Sequence, residues 1–179
     1  MTLGEEIPIL GDWFKLLFIE NNGMAFGWLS GGGLKLALSL FRIVFVVFLF
    51  YFLYRLTRKK TNFGVIFGLS LVIAGALGNI IDSAFYGLIF GESTFFHTAA
   101  FLPEGGGYAS FLHGRVVDML YFPIIDVART DAPAWLPDFL FGADNRFIFF
   151  RPIFNLADSA VTIGVLWLLL FERKFLKNI

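Results

Sequence analysis

Five side chains on this 179-residue chain combine acid, amide and apolar surroundings in a way that points to acid–base chemistry, and four of them belong to a repeated motif. Asn79-Ile80-Ile81-Asp82-Ser83-Ala84 and Asn155-Leu156-Ala157-Asp158-Ser159-Ala160 both read Asn-x-x-Asp-Ser-Ala. The first lies at the far end of an apolar run and the second at the entry of another. An ionised carboxylate in hydrocarbon costs about 3 kcal/mol or more unless it faces a partner or a wet cavity, so acids at these places are candidate functional groups. Asp118, inside Val116-Val117-Asp118-Met119-Leu120, is the fifth. Two carboxylates held close do not both ionise cheaply, and such a pair shares a proton. One acid can then activate water as general base while the other protonates a leaving amine, which is peptide hydrolysis without a metal or a covalent intermediate. The repeat, taken alone, pairs Asp82 with Asp158. A structural reading stands beside the chemical one: Asn155 or Asp158 can cap a helix start, and buried Asn and Asp join membrane helices.

Other chemistries have less support. His97 and His113 are isolated and no His-Glu-x-x-His occurs, so no metal site is expected. Ser83 and Ser159 lack an evident base. With no cysteine in the chain, thiol catalysis, disulfides and Cys-ligated zinc are excluded. Formal net charge is zero, which gives no reason to expect a nucleic-acid partner.

Composition places these residues in a membrane. The chain is 58% apolar with 25 Phe, and its mean hydropathy is +0.76. Soluble domains of this size sit nearer half apolar. Met1 to Gly11 lacks a basic stretch followed by an apolar core, so no cleavable signal peptide is read there. Trp13 to Ile19 reads as a strand, Asn22-Gly23 as a hairpin turn and Met24 to Leu29 as the return strand, giving an interfacial β-hairpin over 12–30. Spanning helices are expected over 34–56, 63–86 and 153–171, since about 20 residues cross a bilayer. The more polar 87–151 forms an outer segment. Small residues in Ala74-Gly75-Ala76-Leu77-Gly78 let another helix approach closely.

Basic clusters fix the orientation. Arg55, Arg58, Lys59 and Lys60 follow the first span, and Arg173, Lys174 and Lys177 close the third, so both ends are cytoplasmic by the positive-inside rule. The two Asn-x-x-Asp motifs then meet near the outer face from antiparallel helices. Three spans with an external amino terminus and no export signal form an awkward topology, and Met1 is read as an internal start or a truncation.

Four ordered blocks resemble lipoprotein signal peptidase (signal peptidase II, the aspartic peptidase family A8). They are Asn21-Asn22-Gly23-Met24-Ala25-Phe26-Gly27, Gly75-Ala76-Leu77-Gly78-Asn79-Ile80-Ile81-Asp82, Val117-Asp118, and Phe154-Asn155-Leu156-Ala157-Asp158-Ser159. The resemblance implies an all-α polytopic inner-membrane protein, with three of a four-helix family fold's spans present, and a small periplasmic β-cradle. It implies an aspartic endopeptidase, without cofactor, that cuts prolipoproteins before the diacylglyceryl-modified cysteine. Asp118 and Asp158 would be its catalytic dyad. Asn21, Gly23, Asn79, Asp82 and Asn155 would orient dyad and substrate. It further implies a monomer in contact with membrane lipid and open to inhibition by globomycin, with its site toward the periplasm.

Three departures accompany the resemblance. The family's first helix is missing, the outer segment between Asp82 and Asp118 is longer than usual, and Ser83 stands where a basic residue is usual. Arg42, in the outer half of the first span, is read either as a substitute cation paired with Asp82 or as a snorkelling side chain. Outside the family, the alternatives are a small carrier or proton relay using the membrane carboxylates, and a membrane scaffold indifferent to them.

Overall fold

A computed structural model describes residues 1–22 and 32–177 of the chain. Its elements are β1 (Glu6–Leu10), β2 (Phe14–Asn21), α1 (Gly32–Arg58), α2 (Phe63–Ile89), β3 (Val116–Tyr121), β4 (Ile125–Ala128), β5 (Arg146–Phe149), β6 (Ile153–Phe154), α3 (Leu156–Phe171) and the short α4 (Arg173–Leu176).

Helices α1 and α2 are each 27 residues long, about 40 Å at 1.5 Å per residue. Both are long and apolar enough to cross a bilayer. Helix α1 is apolar nearly all round. Its Phe41, Val44, Val47, Phe48, Tyr51 and Tyr54 are 56–69% exposed, an arrangement stable only against lipid or another protein. Its opposite stripe, Ser39, Val46, Leu49 and Leu56, is buried, and the apolar members pack on Val65, Leu69 and Ile73 of α2. Arg55 and Arg58 in the last turn complement the helix dipole. Asn62 starts α2 by accepting a hydrogen bond from the Gly64 N–H at 3.1 Å.

Helix α3 is shorter than the 153–171 run led us to expect. It has 16 residues, about 24 Å, because Ile153 and Phe154 pair as β6 with Tyr121 and Leu120 of β3. The chain therefore passes from strand to helix at Asn155. Helices α2 and α3 pack through small residues, as expected of the Gly75–Gly78 stretch. A Cβ on Gly75 would strike the Ala157 carbonyl, one on Gly78 would lie 2.9 Å from the Ala157 methyl, and one on Gly164 would lie 2.6 Å from the Gly68 carbonyl. At the basic end, the Trp167 indole donates to the Gly64 carbonyl at 3.0 Å and the Asn62 amide to Glu172 at 3.2 Å. The α1–α2 turn and the end of α3 thus share one end of the bundle.

The expected β-cradle is a larger part of the fold than a hairpin on an otherwise all-α chain. A four-stranded antiparallel sheet of order β1-β2-β3-β6 caps the other end of the helices, and β4 and β5 form a separate pair. The hairpin in the described residues joins β1 to β2 through Gly11–Trp13, where Gly11 adopts φ +52°. The anticipated return strand Met24–Leu29 lies outside the described residues. The 87–151 segment is an ordered structure that delivers β3 to an inner position of the sheet, between β2 and β6. The Arg115 guanidinium fastens its start, with ion pairs to Glu20 at 2.6 Å and to Glu92 at 3.2 Å.

Candidate active site

The sheet and α3 bring Asp118 and Asp158 to one cavity. In the β3–β6 register Leu120 faces Phe154, so Asp118, two residues before Leu120, lies beside the first turn of α3. In the β2–β3 register Ile19 faces Asp118 and Asn21 faces Val116, which leaves the Asn21 amide diagonal to the Asp118 carboxylate.

Asn155 is the hub. Its Nδ2 donates to Asp118 Oδ1 at 2.9 Å and to Asn79 Oδ1 at 3.1 Å. Its Oδ1 accepts from the Asp158 N–H at 2.9 Å. Asn79 Nδ2 in turn donates to Asp158 Oδ1 at 2.8 Å, and Asn21 Nδ2 donates to Asp118 Oδ2 at 3.1 Å. The two acids are therefore joined through two amides, each oriented by what it accepts. Asn155 and Asp158 also form a reciprocal capping box at the start of α3. The capping reading of this motif holds, and the same geometry sets Asp158 on the cavity it shares with Asp118.

The environments of the two acids differ. Asp158 sits in the first turn of α3, where the helix dipole favours negative charge. Asp118 is 5% exposed. Burial pushes its carboxyl above the usual carboxylate range; the Asn21 hydrogen bond opposes this, the Asp158 charge reinforces it, and the Asn155 hydrogen bond opposes it again. Such an arrangement can keep one acid protonated beside an ionised partner.

The repeated motif divides between two places. Asn79 reaches the acids, whereas Asp82 has Tyr86 and Val117 among its neighbours. It thereby stands between α2 and β3, one residue from Asp118. Ser83 and Ser159 turn back on their helices, donating to the Asn79 and Asn155 carbonyls at 2.9 and 3.0 Å. The pairing of Arg42 with Asp82 is replaced by another neighbourhood. Arg42 lines a cavity with Ala76, Asn79 and Asp158, because it meets α2 at the level of Asn79, one turn deeper than Asp82. Gly23 lies outside the described residues.

The cavity holding the acids measures about 770 Å³ and is also lined by Leu17, Asn21, Arg42, Asn79, Tyr121, Ile148 and Ile153. Its rim carries Arg151 and Asp144, paired at 3.0 Å. Sequence reasoning passed over these rim residues, since nothing in their local pattern marks them; only the return of β5 toward β6 does. Among the described residues no cluster of three metal-ligating side chains occurs.

Helices long enough to span a bilayer, a sheet at one end of them, and a buried and a half-buried acid opening on one cavity describe a membrane enzyme of the aspartic kind. The chain belongs to the signal peptidase II family of peptidases, whose model matches residues 1–173. It is 48% identical over 170 residues to the lipoprotein signal peptidase of Porphyromonas gingivalis, covering 94% of this chain and 71% of that one. It is 37% identical over 175 residues to the lipoprotein signal peptidase of Amoebophilus asiaticus, covering 96% and 66%. A solved bacterial membrane enzyme matches with a TM-score of 0.56 at 26% identity, over 94% of this chain and 75% of that one. A second, at 24% identity with the same TM-score, shares the fold. The protein is thus an aspartic peptidase of the membrane, and the carrier reading finds no support among its relatives.

Proposed function

We propose that the protein removes signal peptides from prolipoproteins through a water molecule activated between Asp118 and Asp158, cutting before the diacylglyceryl-modified cysteine. The observation that carries this reading is the amide-linked pair of acids, Asp118–Asn155–Asn79–Asp158, opening on one cavity. Asp158, in the first turn of α3, takes a proton from water. Asp118, whose proton affinity is raised by burial, gives its proton to the departing amine. Electrons move from water oxygen to the scissile carbonyl carbon and, on collapse, into the nitrogen, which leaves protonated. Asn21, Asn79 and Asn155 hold the carboxylates in register, Asp82 stands beside β3, and the family resemblance adds Gly23 as a supporting residue.

The site belongs on the outer, periplasmic side of the inner membrane. Both basic clusters, which mark the cytoplasmic side, lie at the opposite end of the bundle from the sheet. The substrate is then a segment emerging from the bilayer, its acyl chains in lipid and its cleavage site beneath the sheet. The working unit in this reading is a monomer, needs no cofactor and is a target for globomycin seated over the acids.

The test is to offer the purified full chain two peptides of identical sequence spanning a lipoprotein cleavage site, with and without a diacylglyceryl group on the cysteine. Cleavage at the bond before the cysteine, with kcat/KM at least about tenfold higher for the lipidated peptide, is expected; tenfold corresponds to about 1.4 kcal/mol of recognition. Equal cleavage of both, or cleavage elsewhere, contradicts the proposal.

A further inference from the structure

We infer that Arg42 is a positioning residue for the cleavage reaction, holding the Asp158 carboxylate in place from the membrane side. The inference rests on the assignment of Asp158 to the chemistry, and adds to it a residue from a third helix.

Placement carries the argument. Arg42 stands on α1 in the stripe of Ser39, Val46 and Leu49, the face turned to α2, while its neighbours Phe41 and Val44 are exposed. It therefore projects into the bundle, and the snorkelling alternative, which needs a lipid-facing stem, does not fit that face. It lines two cavities at once. One is the large cavity with Asp118, Asn79 and Asp158. The other, about 270 Å³, lies deeper between the helices and is bounded by Phe45, Val46, Ala76, Asn79, Asp158 and Val161. Arg42, Asn79 and Asp158 are the residues common to both, so the cation occupies the passage between the reacting acids and the apolar interior.

The charges around Asp158 can be set out by element. From its own helix it has Asn155 and the dipole of the first turn. From α2 it has the Asn79 amide and, within electrostatic reach, the Asp82 carboxyl. From β3 it faces Asp118, a second acid that shares its field, and from β2 the neutral Asn21 amide lies on Asp118's far side. At the rim Arg151 is occupied by Asp144. Arg42 is the cation approaching from α1, close enough for Asp158 to act on it electrostatically. An anion at membrane depth is stabilised strongly by a cation held beside it in low dielectric. Arginine suits this place because its planar guanidinium stays charged and has several donors to share.

The experiment measures kcat and KM on the lipidated peptide with full-length wild type, Arg42→Gln, Arg42→Lys and Asp158→Asn, alongside their melting temperatures in detergent. Positioning predicts that Arg42→Gln lowers kcat about 10- to 100-fold, leaves KM within about twofold and melts near wild type, while Arg42→Lys recovers to within about fivefold. A kcat within about twofold of wild type in Arg42→Gln overturns the inference. So does a rise in KM alone, a lysine variant no better than glutamine, or a loss explained by a collapsed melting temperature. If Asp158→Asn cleaves like wild type, it is the assignment of the acids that fails, whatever Arg42 does.

Discussion

Asn155 uses both amide donors, to Asp118 and Asn79, and its amide oxygen accepts from the Asp158 backbone. Asn155→Ala therefore removes the joint between the acids and half of a helix cap. We predict about a hundredfold fall in kcat, the size of effect that an ångström of misplacement produces, with a stability loss of about 1 kcal/mol from the cap, read by steady-state kinetics and thermal melts. Asn21 offers a subtler test. Its hydrogen bond favours the charged form of Asp118, so Asn21→Ala should raise the Asp118 pKa further and move the alkaline limb of the pH–rate profile to higher pH. A shift to lower pH would contradict the role of Asp118 as the proton donor. At this scale the acids were legible from type and setting, because an Asp in an apolar run has few reasons to exist. Their pairing was not legible from spacing. The repeated motif pointed to Asp82 with Asp158, whereas the β3–β6 register brings Asp118 against Asn155, and a register cannot be read along one strand. The family blocks, unlike the spacing, had singled out Asp118.

Elements show the same division. The handover from β6 to α3 at Asn155 lets one residue end a strand, cap a helix and touch both acids. The apolar run 153–171 carried no mark of where the strand stops, so the helix was expected to begin too early. β1 went unread because Glu6-Ile7-Pro8-Ile9-Leu10 is exposed throughout and contains a proline, which edge strands tolerate and pattern rules discount. The glycines of α2 were legible, since small residues in a membrane helix have packing as their usual purpose. Their importance can be measured at Gly164, where a Cβ would lie 2.6 Å from the Gly68 carbonyl. Gly164→Leu should cost about 1–3 kcal/mol by overpacking and lower the melting temperature. Activity should fall less than in Asn155→Ala, because Gly164 lies two turns beyond Asp158. A variant melting at or above wild type would show that α2 and α3 do not meet as described.

For the whole molecule, the basic residues on the α1–α2 turn and after α3 gather at one end and the sheet at the other, an arrangement the charge pattern foretold. The chain has no cysteine, so single introduced thiols report sidedness cleanly. A membrane-impermeant maleimide should label His97→Cys in intact spheroplasts and Lys59→Cys only after permeabilisation; the reverse pattern would invert the topology. The central claim is that one acid from the sheet and one from a helix start act together on water. The most direct measurement is cleavage of the lipidated peptide by Asp118→Asn and Asp158→Asn, each purified with a melting temperature near wild type. Each is expected to lose at least about a thousandfold in kcat, within the range that loss of acid–base catalysis produces; either variant retaining activity within about tenfold of wild type would contradict joint action of the two acids.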